Sequence, residues 1–269
     1  MDAFICTACG TQYPPADKPP TNCPICDDER QYVPPWGQGW TTQDKLAVTH
    51  VNGWHQYEPG IIGIATQPRF AIGQRAVLMR TAHGNVLWDC ISMLDDATVS
   101  LIEALGGVQA MAISHPHFYT TMNDWAEAFD VPVHVHADDR EWIMRQGPRI
   151  TLWEGETLRL TGDVTLIRGG GHFSGSSMLH RAGGASGRGI VCCSDTAYVA
   201  ADRAHVTFMR SYPNFLPLPA ERVTAIASAL APFAFDKMFG NFFESVIESG
   251  AKQAFDRSVE RYLAAIAPR

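Results

Sequence analysis

Three histidines and one aspartate stand at the ends of segments that the sequence predicts to be buried strands. They are His115, His117, His172 and Asp195. An apolar run at 110–113 precedes the first two histidines, and another at 190–193 precedes the aspartate. Such runs are typical of strands that are covered on both faces. Imidazole and carboxylate groups are together the usual ligands of a catalytic divalent metal ion. The pattern therefore predicts a mixed fold in which strand ends meet around one metal site.

The local sequence around each candidate ligand supports a role in metal binding. His115 and His117 flank Pro116, and residues two apart in an extended or turn backbone point to the same side, so both rings can reach one ion. Glycines surround His172 and let the backbone pack closely beneath a metal. Asp195 needs a buried partner, for which a metal ion is the main interpretation and a helix N-terminus or an arginine the alternative.

These motifs resemble the metallo-β-lactamase superfamily. Its Gly-His-x-x-Gly-Ser motif matches residues 171–176 at every fixed position, and Trp88-Asp89-Cys90 is similar to its early strand that ends in aspartate. The resemblance covers about residues 54–265 and implies a four-layer αββα sandwich of the α+β class. It also implies that Asp89 supports the metal-binding loops through hydrogen bonds rather than as a ligand.

The sequence departs from the superfamily where a second metal ion would be bound. The first motif of the superfamily reads His-x-His-x-Asp-His, whereas Tyr119 and Thr120 occupy the last two positions here. The superfamily also has a late histidine, and the corresponding stretch 238–242 reads Met-Phe-Gly-Asn-Phe. Asp195 alone does not hold a second transition metal. We therefore predict one divalent ion, zinc, bound by His115, His117, His172 and Asp195.

A single zinc ion with these ligands predicts hydrolysis. Three neutral imidazoles and one carboxylate leave the ion a net positive charge, which lowers the pKa of bound water toward about 7. The sequence therefore predicts a metal-dependent hydrolase that uses one metal-bound hydroxide on a small ester, lactone, thioester or related bond. Asp195 and Tyr119 are the predicted catalytic residues, the phenol as a donor to a developing oxyanion. The alternative is that Tyr119 only packs.

Four of the seven cysteines form two Cys-x-x-Cys pairs near the N-terminus. They are Cys6 and Cys9 and, after thirteen intervening residues, Cys23 and Cys26. This segment has too few apolar side chains for a core, but four thiolates around one ion supply folding free energy on the order of 10 kcal/mol. We predict a rubredoxin-like zinc ribbon with its linker over residues 1–40, followed by a metallo-β-lactamase-like domain over 41–269.

Two alternatives to a hydrolase with a zinc ribbon remain open. The first is a rubredoxin-like redox module, in which iron in the ribbon passes electrons to iron at the histidines. Rubredoxins usually have glycine after their last cysteine, where this chain has Asp27, and this difference favours zinc. The second alternative is a non-catalytic metal-binding interaction protein, because the ligands of the second metal are absent or replaced.

Charge and composition argue against some partners. The formal net charge is -7 and the lysines and arginines are not clustered, which argues against nucleic acid or a membrane as partner. The N-terminus lacks a positive region followed by a long apolar stretch, and nowhere do about eighteen apolar residues run together. We therefore expect a cytoplasmic protein that acts on a small molecule. The identity of the substrate and the oligomeric state stay open.

Apolar runs and glycine-containing turns predict two strand-rich regions separated by helices. The predicted strands are 61–65, 75–80, 85–90, 108–113, 131–135, 157–160, 164–167, 177–180 and 189–193. Helices are predicted after Asp95 and Thr121 and over 220–231 and 252–266. His134 and His136 alternate on one strand and are expected on a sheet edge or in a supporting role. The tryptophans of the linker 34–40 are expected to dock on the main domain.

Overall fold

The chain divides into two compact units in the computed structural model, which describes residues 1–267. The first unit comprises Met1–Val135 and Asp139–Leu152, and the second comprises His136–Asp138 and the described residues from Trp153 onward. The predicted domain boundary near residue 40 stays a prediction. The predicted 41–269 domain includes residues 268 and 269, which lie outside the described residues.

The first unit is built on a seven-stranded sheet. Its elements in chain order are β1 (Ile5–Cys6), α1 (Pro24–Asp27), β2 (Trp40–Thr41), α2 (Gln43–Thr49), β3 (Val51–Glu58), β4 (Ile61–Gln67), β5 (Arg75–Met79), β6 (Val86–Trp88), α3 (Asp96–Ala104), β7 (Ala110–Ala112), α4 (Met122–Ala128), β8 (Val133–His136) and β9 (Ile150–Trp153). The sheet order is β3-β4-β5-β6-β7-β8-β9, antiparallel from β3 to β6 and parallel from β6 to β8. Strands β1 and β2 pair with each other in the N-terminal ribbon.

Two neighbouring strand pairs of this sheet, β6–β7 and β7–β8, are parallel, and this explains the positions of its helices. Parallel neighbours cannot be joined by a tight turn, so α3 connects β6 to β7 and α4 connects β7 to β8. Helix α3 begins after Asp95, whose carboxylate accepts a 2.7 Å hydrogen bond from the backbone N–H of Thr98, and this confirms the predicted cap. Met111 and Trp125 are fully buried in the core. Strand β7 is therefore an interior strand, and its carboxyl end leads into the His-x-His segment.

The second unit is built on a six-stranded sheet. Its elements in chain order are β10 (Thr157–Arg159), β11 (Val164–Arg168), β12 (Ser177–Arg181), α5 (Gly184–Gly187), β13 (Ile190–Cys192), β14 (Tyr198–Val199), β15 (Val206–Thr207), β16 (Met209–Ser211), β17 (Leu216–Pro217), α6 (Ala220–Leu230), β18 (Lys237–Phe239), β19 (Val246–Ile247) and α7 (Ala251–Ile266). The sheet order is β10-β11-β12-β13-β18-β19, with β13 and β18 parallel. Phe208, Val223 and Phe255 belong to its buried core, which α6 and α7 help to form. None of the helices formed by residues 1–267 combines the length and the apolar character needed to cross a lipid bilayer.

Each of the nine predicted strands corresponds to a strand of one of the two sheets, and the predicted helices are also present. Four strands of the two sheets were not predicted. Strands β3 and β9 are the two edges of the seven-stranded sheet, and they leave Val51 64% and Leu152 43% exposed, so that their residues give no buried apolar pattern. Strands β18 and β19 have three and two residues and are too short for a periodic pattern.

The structure contradicts the sheet-edge position considered for His134 and His136, and it contradicts the docking expected of Trp36. Strand β8, which carries both histidines, lies between β7 and β9, so only the supporting role stays open for them. Trp36 of the linker is 86% exposed and does not dock. Trp40 packs edge to face on Tyr13 of the ribbon itself, with 5.2 Å between ring centroids, because it belongs to β2 and pairs with β1.

Candidate metal centres

The four cysteine sulfurs of the ribbon lie together in the first unit. The Sγ atoms of Cys6 and Cys26 are 3.6 Å apart, as are those of Cys9 and Cys23, and all four lie within 4.8 Å of one another. Sulfurs that bind a tetrahedral zinc ion at about 2.3 Å stand about 3.8 Å from each other. The four thiols are free, and their spacing fits one tetrahedral metal ion.

The surroundings of these sulfurs also fit a bound cation. The Tyr13 hydroxyl donates a 3.1 Å hydrogen bond to the sulfur of Cys23, and the Gln38 amide donates a 2.9 Å bond to that of Cys6. Hydrogen bonds from Cys23 and the other thiols lower the pKa of Cys6, whereas burial raises the pKa of Cys9. A buried cluster therefore cannot hold four thiolates without a positive charge among them, and a divalent metal supplies that charge.

The histidine pair of the first unit follows the carboxyl end of β7. His115 and His117 are 2% and 4% exposed, and their ring centroids are 5.2 Å apart. The Ser114 hydroxyl lies 2.9 Å from Nδ1 of His115, which fixes the orientation of that ring. Within the first unit, the pair therefore offers two neighbouring imidazoles in a buried position, as the His-x-His spacing predicts.

Two further contacts hold the loop that carries this pair. The Asp89 carboxylate accepts a 2.7 Å hydrogen bond from the backbone N–H of Ser114, directly before His115. The Gln74 amide donates a 3.0 Å hydrogen bond to the backbone carbonyl of His117. The supporting role predicted for Asp89 is confirmed, whereas Gln74 carries no sequence signal because its partner is 43 residues away.

Tyr119 and Thr120, at the positions of the missing second-metal ligands, are both buried. Thr120 has a φ of 31°, in a region that β-branched residues rarely adopt, and its hydroxyl lies 3.0 Å from the sulfur of Cys90. The Tyr119 ring belongs to the hydrophobic core, and its hydroxyl donates a 3.4 Å hydrogen bond to the carbonyl of Asp139. Burial raises the pKa of Tyr119 well above that of an ordinary phenol. These contacts favour packing, and a catalytic role for Tyr119 stays a prediction.

Tyr119→Phe separates the two roles of this residue, because it keeps the ring and removes only the hydroxyl. If the hydroxyl only packs against the Asp139 carbonyl, as its contact favours, we expect an unchanged kcat. We also expect the free energy of unfolding to fall by about 1 kcal/mol, the usual contribution of one buried hydrogen bond. Kinetics on the best substrate together with urea unfolding measure both effects. A kcat lower by about 100-fold would instead establish the phenol as an oxyanion donor.

The second unit contains a buried histidine and aspartate in contact. Nε2 of His172 lies 3.5 Å from Oδ2 of Asp195, and the two residues are 0% and 8% exposed. Nδ1 of His172 lies 3.3 Å from the carbonyl of Met209, which can only accept a hydrogen bond. In the neutral ring this contact places the proton on Nδ1, so a lone pair on Nε2 faces a carboxylate oxygen. Two acceptors at this distance need a proton or a metal cation between them.

The glycines before His172 allow this loop to pack closely, as the sequence predicts. Gly170 and Gly171 have φ of 63° and 82°, which side chains rarely adopt. A Cβ atom on Gly171 would lie 2.9 Å from Leu218 and 3.0 Å from Ile226, both in the core of the second unit. The backbone of the loop therefore rests directly on that core and fixes the position of the histidine ring.

Asn241 contacts the Asp195 carboxylate, a role that was not predicted from the sequence. It lies in the stretch 238–242, where the resemblance implies a metal-binding histidine, and it is 5% exposed. Its amide donates a short hydrogen bond to Oδ1 of Asp195. The Tyr212 hydroxyl donates a 3.0 Å bond to the backbone carbonyl of Asp195. Asn241 follows Gly240 after the end of β18, and its role had no signal in the sequence because that strand is too short for a periodic pattern.

His134 and His136 have contacts that fit a supporting role. His136 places Nε2 3.1 Å from the carbonyl of Gly155 and packs edge to face on Trp153, with 4.4 Å between ring centroids. Burial lowers the pKa of His134 and favours its neutral form. Among residues 1–267, the groups with the composition of a metal site do not include either histidine.

Comparison with known proteins gives one similar sequence and many similar folds. No protein-family model matches the chain. A Bacillus subtilis (strain 168) protein, described as "Uncharacterized protein YmaE", is 44% identical over 268 residues, which cover 99% of this chain and 97% of that protein. The agreement therefore extends over both units and the ribbon.

Two solved structures illustrate the fold. VMB-1, crystallised at pH 5.5, matches with a TM-score of 0.59 and 11% identity over 80% of this chain and 98% of that chain. The metallo-β-lactamase DIM-1, exposed to ceftazidime, matches with a TM-score of 0.56 and 10% identity over 78% and 97% of the two chains. At such low identity the likeness concerns the fold alone. It confirms the predicted α+β metallo-β-lactamase-like fold class.

Proposed function

Because this chain belongs to the family of the Bacillus subtilis protein YmaE and has the metallo-β-lactamase fold, we propose that it is a metal-dependent hydrolase. One divalent ion, zinc, is held in this proposal by the pair His115 and His117 together with the pair His172 and Asp195. The observation that carries the proposal is the 3.5 Å contact between Nε2 of His172 and Oδ2 of Asp195, which needs a cation or a proton.

The chemistry of the donor set fits zinc and a hydrolytic role. Neutral imidazole nitrogens and a carboxylate are the ligands of catalytic zinc sites, and all four side chains are buried. When bound, such an ion lowers the pKa of water toward about 7 and polarises a carbonyl group. A bond to a carbonyl carbon with a good leaving group is therefore the proposed target, as in a small ester, lactone or thioester.

The protein's own residues orient the proposed ligands. The Met209 carbonyl accepts a hydrogen bond from Nδ1 of His172 and so directs Nε2 toward Asp195. Asn241 donates to Oδ1 of Asp195, which leaves Oδ2 on the side of the histidine. Such supporting contacts usually contribute 10-fold to 100-fold, in order of magnitude, to metal affinity or activity.

A metal count tests the proposal most directly. We expect two ions per chain after purification in the presence of zinc, one at the four cysteines and one at the histidines. Elemental analysis gives the number, and a screen of chromogenic esters and lactones with and without a chelator gives the reaction class. Three tightly bound ions per chain would contradict a single-ion site, and zinc only at the cysteines would contradict the proposed function. A red protein with iron at the cysteines would favour the redox alternative.

The cellular setting and the type of substrate are part of the same proposal. Four of the seven cysteines have the spacing and the clustering of a metal site rather than of disulfides, which is typical of a reducing compartment and supports a cytoplasmic location. The net charge of -7 supports a small molecule as substrate rather than a nucleic acid or a membrane surface. Fractionation of cells and the substrate screen test these two points.

A further inference from the structure

The ribbon contacts the loop that carries the histidine pair. The backbone N–H of Gln12 donates a 2.9 Å hydrogen bond to the carbonyl of Thr120, three residues after His117. Thr120 is buried and has a φ of 31°, a conformation that a β-branched residue keeps only where its neighbours hold it. Gln12 is one of the residues that hold it.

The side chain of Gln12 strengthens this connection. Its amide nitrogen donates a 2.7 Å hydrogen bond to the carboxylate of Asp124, in the first turn of α4. Arg145 donates hydrogen bonds to both Gln12 and Asp124. Gln12 is only 3% exposed, and a buried, satisfied polar network of this kind favours one arrangement of its members. The ribbon is therefore attached on both sides of the turn between Thr120 and α4.

Gly10 brings the cysteine segment against the rest of the first unit. The Ser92 hydroxyl donates a 3.0 Å hydrogen bond to the carbonyl of Gly10, which has a φ of 88°. A Cβ atom on Gly10 would lie 2.3 Å from the Ser92 hydroxyl oxygen but 3.5 Å from the Thr120 side chain. Cys9, directly before Gly10, belongs to the four-cysteine cluster, so the position of this segment depends on that cluster.

We infer that the ribbon is a positioning element for the histidine site, with Gln12 as the positioning residue, an inference that rests on the proposed function. Metal bound by the cysteines fixes the segment 9–12, and this segment fixes Thr120. Thr120 in turn fixes the short turn that orients His115 and His117. The ribbon thus supports the stretch that second-metal ligands would occupy in the superfamily. Because such coupling is reciprocal, each site when filled raises the affinity of the other.

Gly10→Ala tests this inference without removing a cysteine. The added methyl group collides with Ser92, so we expect the ribbon to shift away from Thr120 while its own metal stays bound. The zinc affinity of the histidine site, measured by competition with a chromophoric chelator, should fall about 10-fold, the usual effect of losing a supporting contact. Gly37→Ala is the matched control, because Gly37 has a similar φ of 93° but no atom within 4 Å of a Cβ. It should bind both ions as the unaltered protein does.

Further variants and readouts separate positioning from general stability. The pair Gly10→Ala with Ser92→Ala removes the colliding oxygen, so its affinity should rise from that of Gly10→Ala to the level of Ser92→Ala alone. The absorption spectrum of Co²⁺ at the histidine site should change in Gly10→Ala and not in Gly37→Ala. If Gly10→Ala does not fold, Ser92→Ala alone removes the 3.0 Å hydrogen bond to Gly10 and should weaken zinc binding several-fold.

The outcomes distinguish this inference from the proposed function. The positioning role would be overturned if a folded Gly10→Ala protein kept its zinc affinity and its Co²⁺ spectrum. If Ser92→Ala has to be used instead, unchanged zinc affinity in that variant would overturn it. Either result would leave the proposed function intact. Absence of a second ion from the unaltered protein would overturn the proposed function, and the inference with it. A lower melting temperature with unchanged affinity would show that the ribbon contributes to stability alone and would also overturn the inference.

Discussion

His172→Ala should lower kcat/KM for the best substrate by more than about 100-fold, the upper range for loss of a residue that only supports a ligand. The ring is fully buried and its nitrogens face the Met209 carbonyl and the Asp195 carboxylate, so the variant loses an imidazole that these contacts hold in place. Its removal leaves the proposed ion with three ligands and with an enlarged cavity. Zinc content and steady-state kinetics measure the two consequences together.

His205→Ala is the matched control for this variant. His205 lies in the same unit, is partly exposed and has its Nδ1 2.7 Å from the Asp202 carboxylate. It has no role in the proposed site, so its loss should leave zinc content and kcat/KM unchanged. Equal effects of the two variants would mean that activity follows general stability. Full activity and full zinc content in His172→Ala would show that this histidine is not a ligand.

The sequence predicted the fold where its patterns are local. An apolar run that ends in a functional residue marks β7 before His115 and β13 before Asp195, and the structure has both strands. The glycines before His172 predicted a closely packed loop beneath a metal; the structure shows the close packing, since an added Cβ on Gly171 would meet Leu218 and Ile226, and the metal stays a prediction. These predictions succeed because the hydrophobic pattern of a strand, the residue preferences of a turn and the missing side chain of glycine can each be read from a few neighbouring residues.

Other features of the site depend on residues far apart in the chain. Gln74 binds the backbone of His117 from 43 residues away, and Asn241 binds Asp195 from 46 residues away. Neither residue belongs to a motif, because a single amide has no characteristic spacing. The resemblance predicted a lost histidine in the stretch 238–242 but not that Asn241 would hold the carboxylate there. Long-range pairs of this kind follow from the topology of the sheet rather than from local sequence.

The same reasoning explains why the ribbon was predicted as a separate domain. Cysteine spacing identifies a metal cluster but says nothing about which surface the cluster packs on. The contacts of Gln12 with Thr120 and Asp124 span more than 100 residues of sequence. They place the ribbon within the first compact unit. The effect of the ribbon on the zinc affinity of the histidine site can therefore be measured directly.

Cys23→Ser should remove the ribbon metal and most of the folding free energy that it supplies, which is on the order of 10 kcal/mol for a structural zinc site. The Cys23 sulfur lies 3.6 Å from that of Cys9 and accepts the hydrogen bond of Tyr13, so its loss opens the cluster at its centre. Hydrogen exchange over residues 1–40 should accelerate strongly around the four cysteines, because the metal supplies most of the folding free energy of that segment.

Cys192→Ser makes the same atomic change at a buried cysteine outside the cluster and should leave the ribbon metal in place. In Cys23→Ser the histidine site should still fill at saturating zinc, because its ligands are unchanged. Its zinc affinity should be lower, because the contact between Gln12 and Thr120 is lost. Loss of both ions at saturating zinc would mean that the ligands of the two sites were assigned wrongly. Retention of the ribbon metal would mean that three cysteines suffice to hold it. The two ions therefore respond to one substitution in different ways, and a titration that follows each of them separately tests both assignments at once.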